Sequence, residues 1–94
     1  MSALSEEEIE QRLAGVHKWK RAGDASIARD YKLEDFVDAV AFVNRVAELA
    51  EEANHHPDIL LHGWNRVRLT LSTHSQDGLT DADFALAGQI DSLA

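Results

Sequence analysis

From Leu33 to Ala53 the chain contains no glycine and no proline, and Phe36, Val40, Val43, Ala47 and Ala50 recur at the i, i+4, i+7 positions of one helical face. This spacing predicts one long central helix. Pro57 is expected to close it, because the ring has no N–H to donate and disfavours helical backbone at His56 before it. Val37, Ala41, Phe42, Val46 and Leu49 extend the apolar surface well beyond one stripe and leave Asp38, Arg45, Glu48 and Glu52 as the polar side. A chain of 94 residues has room for a single domain, residues 1–94, and its one thin sheet covers only one face of such a helix. The surplus apolar surface predicts an oligomer, a homodimer or a homotetramer.

The flanking segments fill in the rest of the fold. Ser5 and Glu8 have capping-box spacing, and Ile9, Leu13 and Val16 follow at helical intervals, so a short first helix is expected to end near Gly15. Lys18-Trp19-Lys20 and Ser26 to Lys32 read as two strands joined by Ala22-Gly23-Asp24. Beyond Pro57, Ile59 to His62 reads as a strand and Gly63 to Asn65 as a tight connection. Val67, Leu69 and Leu71 then alternate strictly with Arg66, Arg68, Thr70 and Ser72, the pattern of a strand with one buried and one wet face. Asp77-Gly78 marks a turn, Thr80 and Asp83 repeat the capping-box spacing, and Phe84, Ala87, Ile90 and Leu93 supply the buried side of a last helix. The order helix, strand, strand, helix, strand, strand, helix predicts an α+β fold, with a four-stranded, mainly antiparallel sheet and three helices packed on one face.

The balance of 17 carboxylates against 9 Lys and Arg gives a formal charge of -8, which argues against direct nucleic-acid binding. No apolar run approaches the roughly 18 residues of a membrane span, so no membrane association is expected. With no cysteine there is neither a disulfide nor a thiolate metal site, and the cytoplasm is the default expectation.

The chemistry concentrates in Glu51-Glu52-Ala53-Asn54-His55-His56-Pro57, with Trp64, His74 and Asp83 downstream. Imidazole both gives and takes a proton near neutral pH. His55 and His56 stand where the long helix gives way to extended chain, and His74 lies just past the strictly alternating strand, both margins of rigid elements. Glu51, about one turn before His55, is placed to orient an imidazole. His17 and His62 have no partners in this pattern and stay outside the site. Trp19 and Trp64 read mainly as packing residues, Trp19 alone being kept as a ligand wall.

The string Glu51-x3-His55-His56-Pro57-x6-Trp64-x9-His74-x8-Asp83 resembles the signature of the pterin-4a-carbinolamine dehydratases. The likeness extends from Trp19 to Asp91 and includes Leu69-Thr70-Leu71-Ser72-Thr73-His74 and Gly78-Leu79-Thr80. Gly63 before Trp64 is not part of the expected pattern. The resemblance implies dehydration of 4a-hydroxytetrahydrobiopterin, or a related reduced pterin, to the quinonoid dihydropterin, with no metal and no organic cofactor. By that analogy His55 and His74 transfer protons, and His56 binds the pterin and shares the acid/base work. Glu51, Trp19, Pro57 and Asp83 form the substrate-binding surround, with Glu51 polarising His55 and Asp83 orienting His74 or capping its helix.

Two rivals stand beside this reading. Three imidazoles are enough to bind zinc with a position left for water, but there is no HExxH helix and adjacent side chains in extended backbone diverge. The second is an interaction module that dimerises through the apolar central helix, a role the resemblance also allows, since animal relatives partner a homeodomain transcription factor.

Overall fold

Each of the three α-helices begins where a side-chain oxygen accepts one of the backbone N–H groups that helical geometry leaves unpaired. In the computed structural model, which describes residues 3–93, Ser5 and Glu8 form a reciprocal capping box before α1 (Glu6–Leu13), which tightens into a 3-10 turn at Ala14–Val16. Asp35 accepts from the Asp38 N–H at 2.8 Å and starts α2 (Phe36–Ala53), while Thr80 and Asp83 form a second capping box before α3 (Asp81–Asp91). The central helix starts at Phe36 and not at Leu33, because the Leu33 backbone is engaged elsewhere. Its N–H donates to the Asn65 carbonyl at 2.8 Å, and the Asn65 amide donates back to its carbonyl at 3.0 Å.

The strands β1 (Lys20–Arg21), β2 (Ile27–Lys32), β3 (Asp58–His62) and β4 (Arg66–Leu71) form one antiparallel sheet in the order β1-β2-β4-β3. The register sets Ile27 opposite Leu71 and Tyr31 opposite Val67. These residues and Leu69 are buried and pack with Ile9, Phe42, Val46, Leu86 and Ile90 from the helices. The opposite face of the sheet carries the exposed Asp30, Lys32, Arg66 and Arg68. The α+β architecture and element order are those expected from the sequence. The first strand is shorter, two residues and not Lys18 to Lys20.

Two expectations about packing need correction. The buried face of α2 is Ala39, Phe42, Val46 and Ala50, whereas Phe36 is 54%, Val37 75% and Val40 38% exposed. A helix apolar on several sides satisfies more than one periodic stripe, and the position of the sheet selects among them. Trp64, expected to pack, is 62% exposed at the β3–β4 turn, where both it and Gly63 adopt positive φ and the indole is carried away from the core. Among the described residues no helix is long and apolar enough to cross a membrane.

The last turn of α3 is tied to the sheet through one carboxylate. Asp91 Oδ1 accepts from the Trp19 indole at 2.9 Å and the Tyr31 hydroxyl at 3.1 Å, and it pairs with Arg29, whose guanidinium lies 4.2 Å over the Tyr31 ring. Burial pushes the phenol of Tyr31, the one tyrosine in the chain, up from its ordinary value of 10.0. A group with a raised folded-state pKa contributes stability that is complete below its unfolded value and is lost as pH rises toward the folded one. Unfolding stability should therefore fall between about pH 10 and 12, by at most about 1.4 kcal/mol per pH unit for this proton. Urea titration of wild type and Tyr31→Phe checks this: the slope should be smaller in the variant, and an equal slope would assign it to other groups.

Candidate active site

Asp83 organises the site. It is the third residue of α3, so its carboxylate folds back over the helix start and accepts the Thr80 N–H at 2.9 Å through Oδ2. The same oxygen accepts the Thr73 hydroxyl at 2.8 Å, and Oδ1 lies 2.6 Å from His55 Nε2. The residue is 0% exposed. A carboxylate so far from water persists only where its lone pairs are used, and here three partners and the positive end of a helix meet it.

His55 reaches Asp83 because of how α2 ends. Asn54 adopts left-handed backbone at φ 50, ψ 43, and the His55 N–H then donates to the Ala50 carbonyl at 3.1 Å, the reversal that commonly terminates helices. The stop therefore comes three residues before Pro57, which lies half-buried in the exit segment and stiffens it. The His55 side chain retains 15% exposure, so most of the ring is held by protein while part meets solvent.

Glu51 does not orient His55. It pairs with His56 Nε2, and both side chains are largely exposed, so the pair contributes little to stability. Asp83, expected to orient His74 or to cap its helix, does cap α3, and the histidine it holds is His55 and not His74. Both reassignments follow from Asn54: the helical i, i+4 relation that would have joined Glu51 to His55 stops at Ala53.

His74 opens a 3-10 turn, His74–Gln76, and is exposed. The turn is clamped at its base by an isolated bridge, the Thr73 N–H donating to the Gly78 carbonyl at 3.0 Å. Since Thr73 is hydrogen-bonded to the carboxylate that holds His55, the two histidine-bearing segments meet at Asp83. Trp19 lies elsewhere. It is 1% exposed and bonded to Asp91, so its ring faces are covered by core side chains and it is a packing residue in this chain. Two cavities, of about 230 and 420 Å³, lie on the open face of the sheet, one lined by Lys32, His62 and Arg66 and the other by Lys20, Arg29 and Arg68 among others. None of His55, His56 and His74 lines either. Among the described residues no group of three His, Cys, Asp or Glu side chains is placed to hold a metal ion.

Residues 2–93 match the family model described as pterin 4 alpha carbinolamine dehydratase. The chain belongs to the pterin-4-alpha-carbinolamine dehydratase family. Provisionally named members from Thermomicrobium roseum and Nocardia farcinica are 49% and 52% identical to it, the first over 100% of this chain and 99% of the relative, the second over 97% and 94%. A crystal structure from Brucella melitensis, titled a transcriptional coactivator/pterin dehydratase, superposes with a TM-score of 0.91 at 34% identity, covering 99% of both chains. A more distant structure, a pterin dehydratase-like protein identified as a RuBisCO assembly factor in the alpha-carboxysome, has a TM-score of 0.70 at 29% identity and covers 83% of this chain and 90% of its own. The resemblance in the sequence pointed to the histidines, Glu51 and Asp83, but not to the pairing of Asp83 with His55 and of Glu51 with His56. Asn54 carries a recognisable stop signal, an asparagine directly after a long helical pattern. Thr73 falls within the string that matches the family, but its partners Thr80 and Asp83 come from another element, and no local spacing reveals them.

Proposed function

We propose that this protein dehydrates pterin-4a-carbinolamine to the quinonoid dihydropterin in the cytoplasm, by histidine acid/base catalysis without a metal or organic cofactor, and so serves tetrahydropterin recycling. The observation that carries the proposal is the buried Asp83 carboxylate gripping a partly exposed His55 beside the His74 turn, in a chain of this family. Loss of hydroxide from C4a needs a proton delivered to the departing oxygen, and the ring nitrogen whose lone pair expels it must in the end release its own proton. One acid and one base suffice, and His55 and His74 are assigned these roles. His56, aligned by Glu51 at the exposed margin, binds the pterin and shares the proton transfer, while Pro57 holds the exit segment. Asp83 acts through His55.

The direct test is to generate the carbinolamine in situ and follow its absorbance decay with and without the protein. Accelerated decay supports the reading, and folded protein that leaves the rate unchanged overturns it. A histidine base loses its accepting lone pair on protonation, so turnover should fall as the pH is lowered into the acid range. A flat rate from about pH 5 to 8 would remove histidine from the mechanism.

A second reading has its own support. Phe36, Val37 and Val40 expose an apolar strip at the start of α2, and a structural relative carries an assembly role in its title. In this reading α2 is a protein-interaction surface, with a second copy of the chain as first occupant in a homodimer or homotetramer. Light scattering on wild type and Val37→Glu tests it: a change of mass in the variant supports it, and a monomeric wild type at high concentration removes self-association.

A further inference from the structure

The hydrogen bonds behind His55 admit only one direction, and that direction decides which ring nitrogen does chemistry. Two of the donors are backbone N–H groups, which cannot reverse: Thr80 N–H onto Asp83 Oδ2 at 2.9 Å, and Ala82 N–H onto Thr80 Oγ1 at 3.3 Å. Thr73 Oγ1 lies 2.8 Å from Asp83 Oδ2 and 2.9 Å from Thr80 Oγ1. A hydroxyl has one proton to give, and an ionised carboxylate only accepts. Thr73 therefore donates to Asp83, and Thr80 donates to Thr73. With Oδ2 accepting two donors, Oδ1 is left to accept from His55 Nε2, 2.6 Å away.

Resting on the dehydratase reading above, we infer that Thr73 is a positioning residue. Backed by Thr80, it anchors Asp83 Oδ2 and so keeps Oδ1 turned to His55, so that neutral His55 carries its proton on Nε2 and presents Nδ1 as the proton-accepting atom. Among the described residues Nδ1 makes no hydrogen bond, whereas Nε2 is committed to Asp83. The α3 start thus sets the polarity of a side chain at the far end of α2, through two hydroxyls and a carboxylate. Each bond in such a chain polarises the next.

The charge environment is compatible with this polarity. His55 faces Asp83 from α3, with Glu51 and His56 nearest along its own chain, and His74 follows Thr73 directly. No cation among these competes for Asp83 Oδ1 in the structure.

The test separates this inference from the activity itself. Long-range nitrogen–proton NMR correlations of wild-type protein above the histidine titration should show His55 as the Nε2–H tautomer. A dominant Nδ1–H tautomer overturns the inference whether or not the protein proves to be a dehydratase. Thr73→Val keeps the shape and removes the donor, so kcat should fall about tenfold with KM little changed, the lower end of what a hydrogen bond to a charged acceptor is worth. The His55 tautomer should become mixed, and Thr73→Ser should restore both kcat and tautomer. If Thr73→Val does not fold, the wild-type tautomer and Thr73→Ser still decide. If it folds with an unchanged tautomer and an unchanged pH profile, Thr73 is a structural residue only.

Discussion

Replacing His55 with glutamine should lower turnover by about 10²- to 10⁴-fold, the usual contribution of a positioned acid or base. Glutamine is the informative substitution because an amide N–H is able to donate to Asp83 Oδ1, so the buried carboxylate keeps a partner while the titrating group is gone. Alanine would add a structural cost of about 1 to 3 kcal/mol by leaving that oxygen unpaired, and the two effects would be mixed. His74→Gln should fall in the same range as His55→Gln. The double variant should lose less than the product of the two if acid and base act in one step, since groups working as a unit are not additive. His56→Gln should lose less, because its pair with Glu51 is open to solvent and constrains the ring weakly. Rates measured on variants with wild-type circular dichroism provide the check. A folded His55→Gln protein with near wild-type turnover would end the histidine mechanism.

Asp83→Ala should produce the largest loss of stability available from one polar substitution. The change removes the acceptor for the Thr80 N–H, the Thr73 hydroxyl and His55 at a site fully shielded from water. Breaking a buried, hydrogen-bonded pair from one side costs about 3 to 5 kcal/mol. That is a large share of the roughly 5 to 15 kcal/mol that separates folded from unfolded states in small domains. For a chain of this size the midpoint of thermal unfolding should drop by roughly 15 to 30 °C.

Asp83→Asn separates the two roles of the residue. The asparagine carbonyl is able to accept from Thr80 and Thr73, so most stability should remain. Its NH₂ would then face His55 Nε2 as a donor and drive the imidazole to the opposite tautomer, so turnover should be lost nearly as fully as in His55→Gln. An Asp83→Asn protein that keeps both stability and turnover would mean that the carboxylate is incidental to the site.

The parts of this protein legible in sequence are those whose cause lies within a few residues. Ser5 with Glu8 and Thr80 with Asp83 were readable as helix starts because capping joins positions three apart, and the alternation of Val67, Leu69 and Leu71 was readable because a strand turns successive side chains to opposite faces. His55, His56 and His74 stood out because their chemistry belongs to the side chain wherever it is placed. The order of the elements followed from the same local signals. Their order in the sheet, β1-β2-β4-β3, did not, because no short-range rule states that β4 inserts between β2 and β3.

Tertiary structure decided who partners whom. Glu51 looked like the companion of His55 because a helix places such positions together, and the left-handed Asn54 ended the helix and sent His55 to Asp83, 28 residues away in sequence. It also decided which of the apolar stripes on α2 is buried, since several were available and only the sheet's position distinguishes them, and it withdrew Trp19 from any ligand by closing the core around it. The amino-acid sequence thus determined the element types and the reactive groups, which depend on local backbone preference and intrinsic side-chain chemistry. The orientation of those groups depended on contacts between segments distant along the chain, and only the packed fold supplies them.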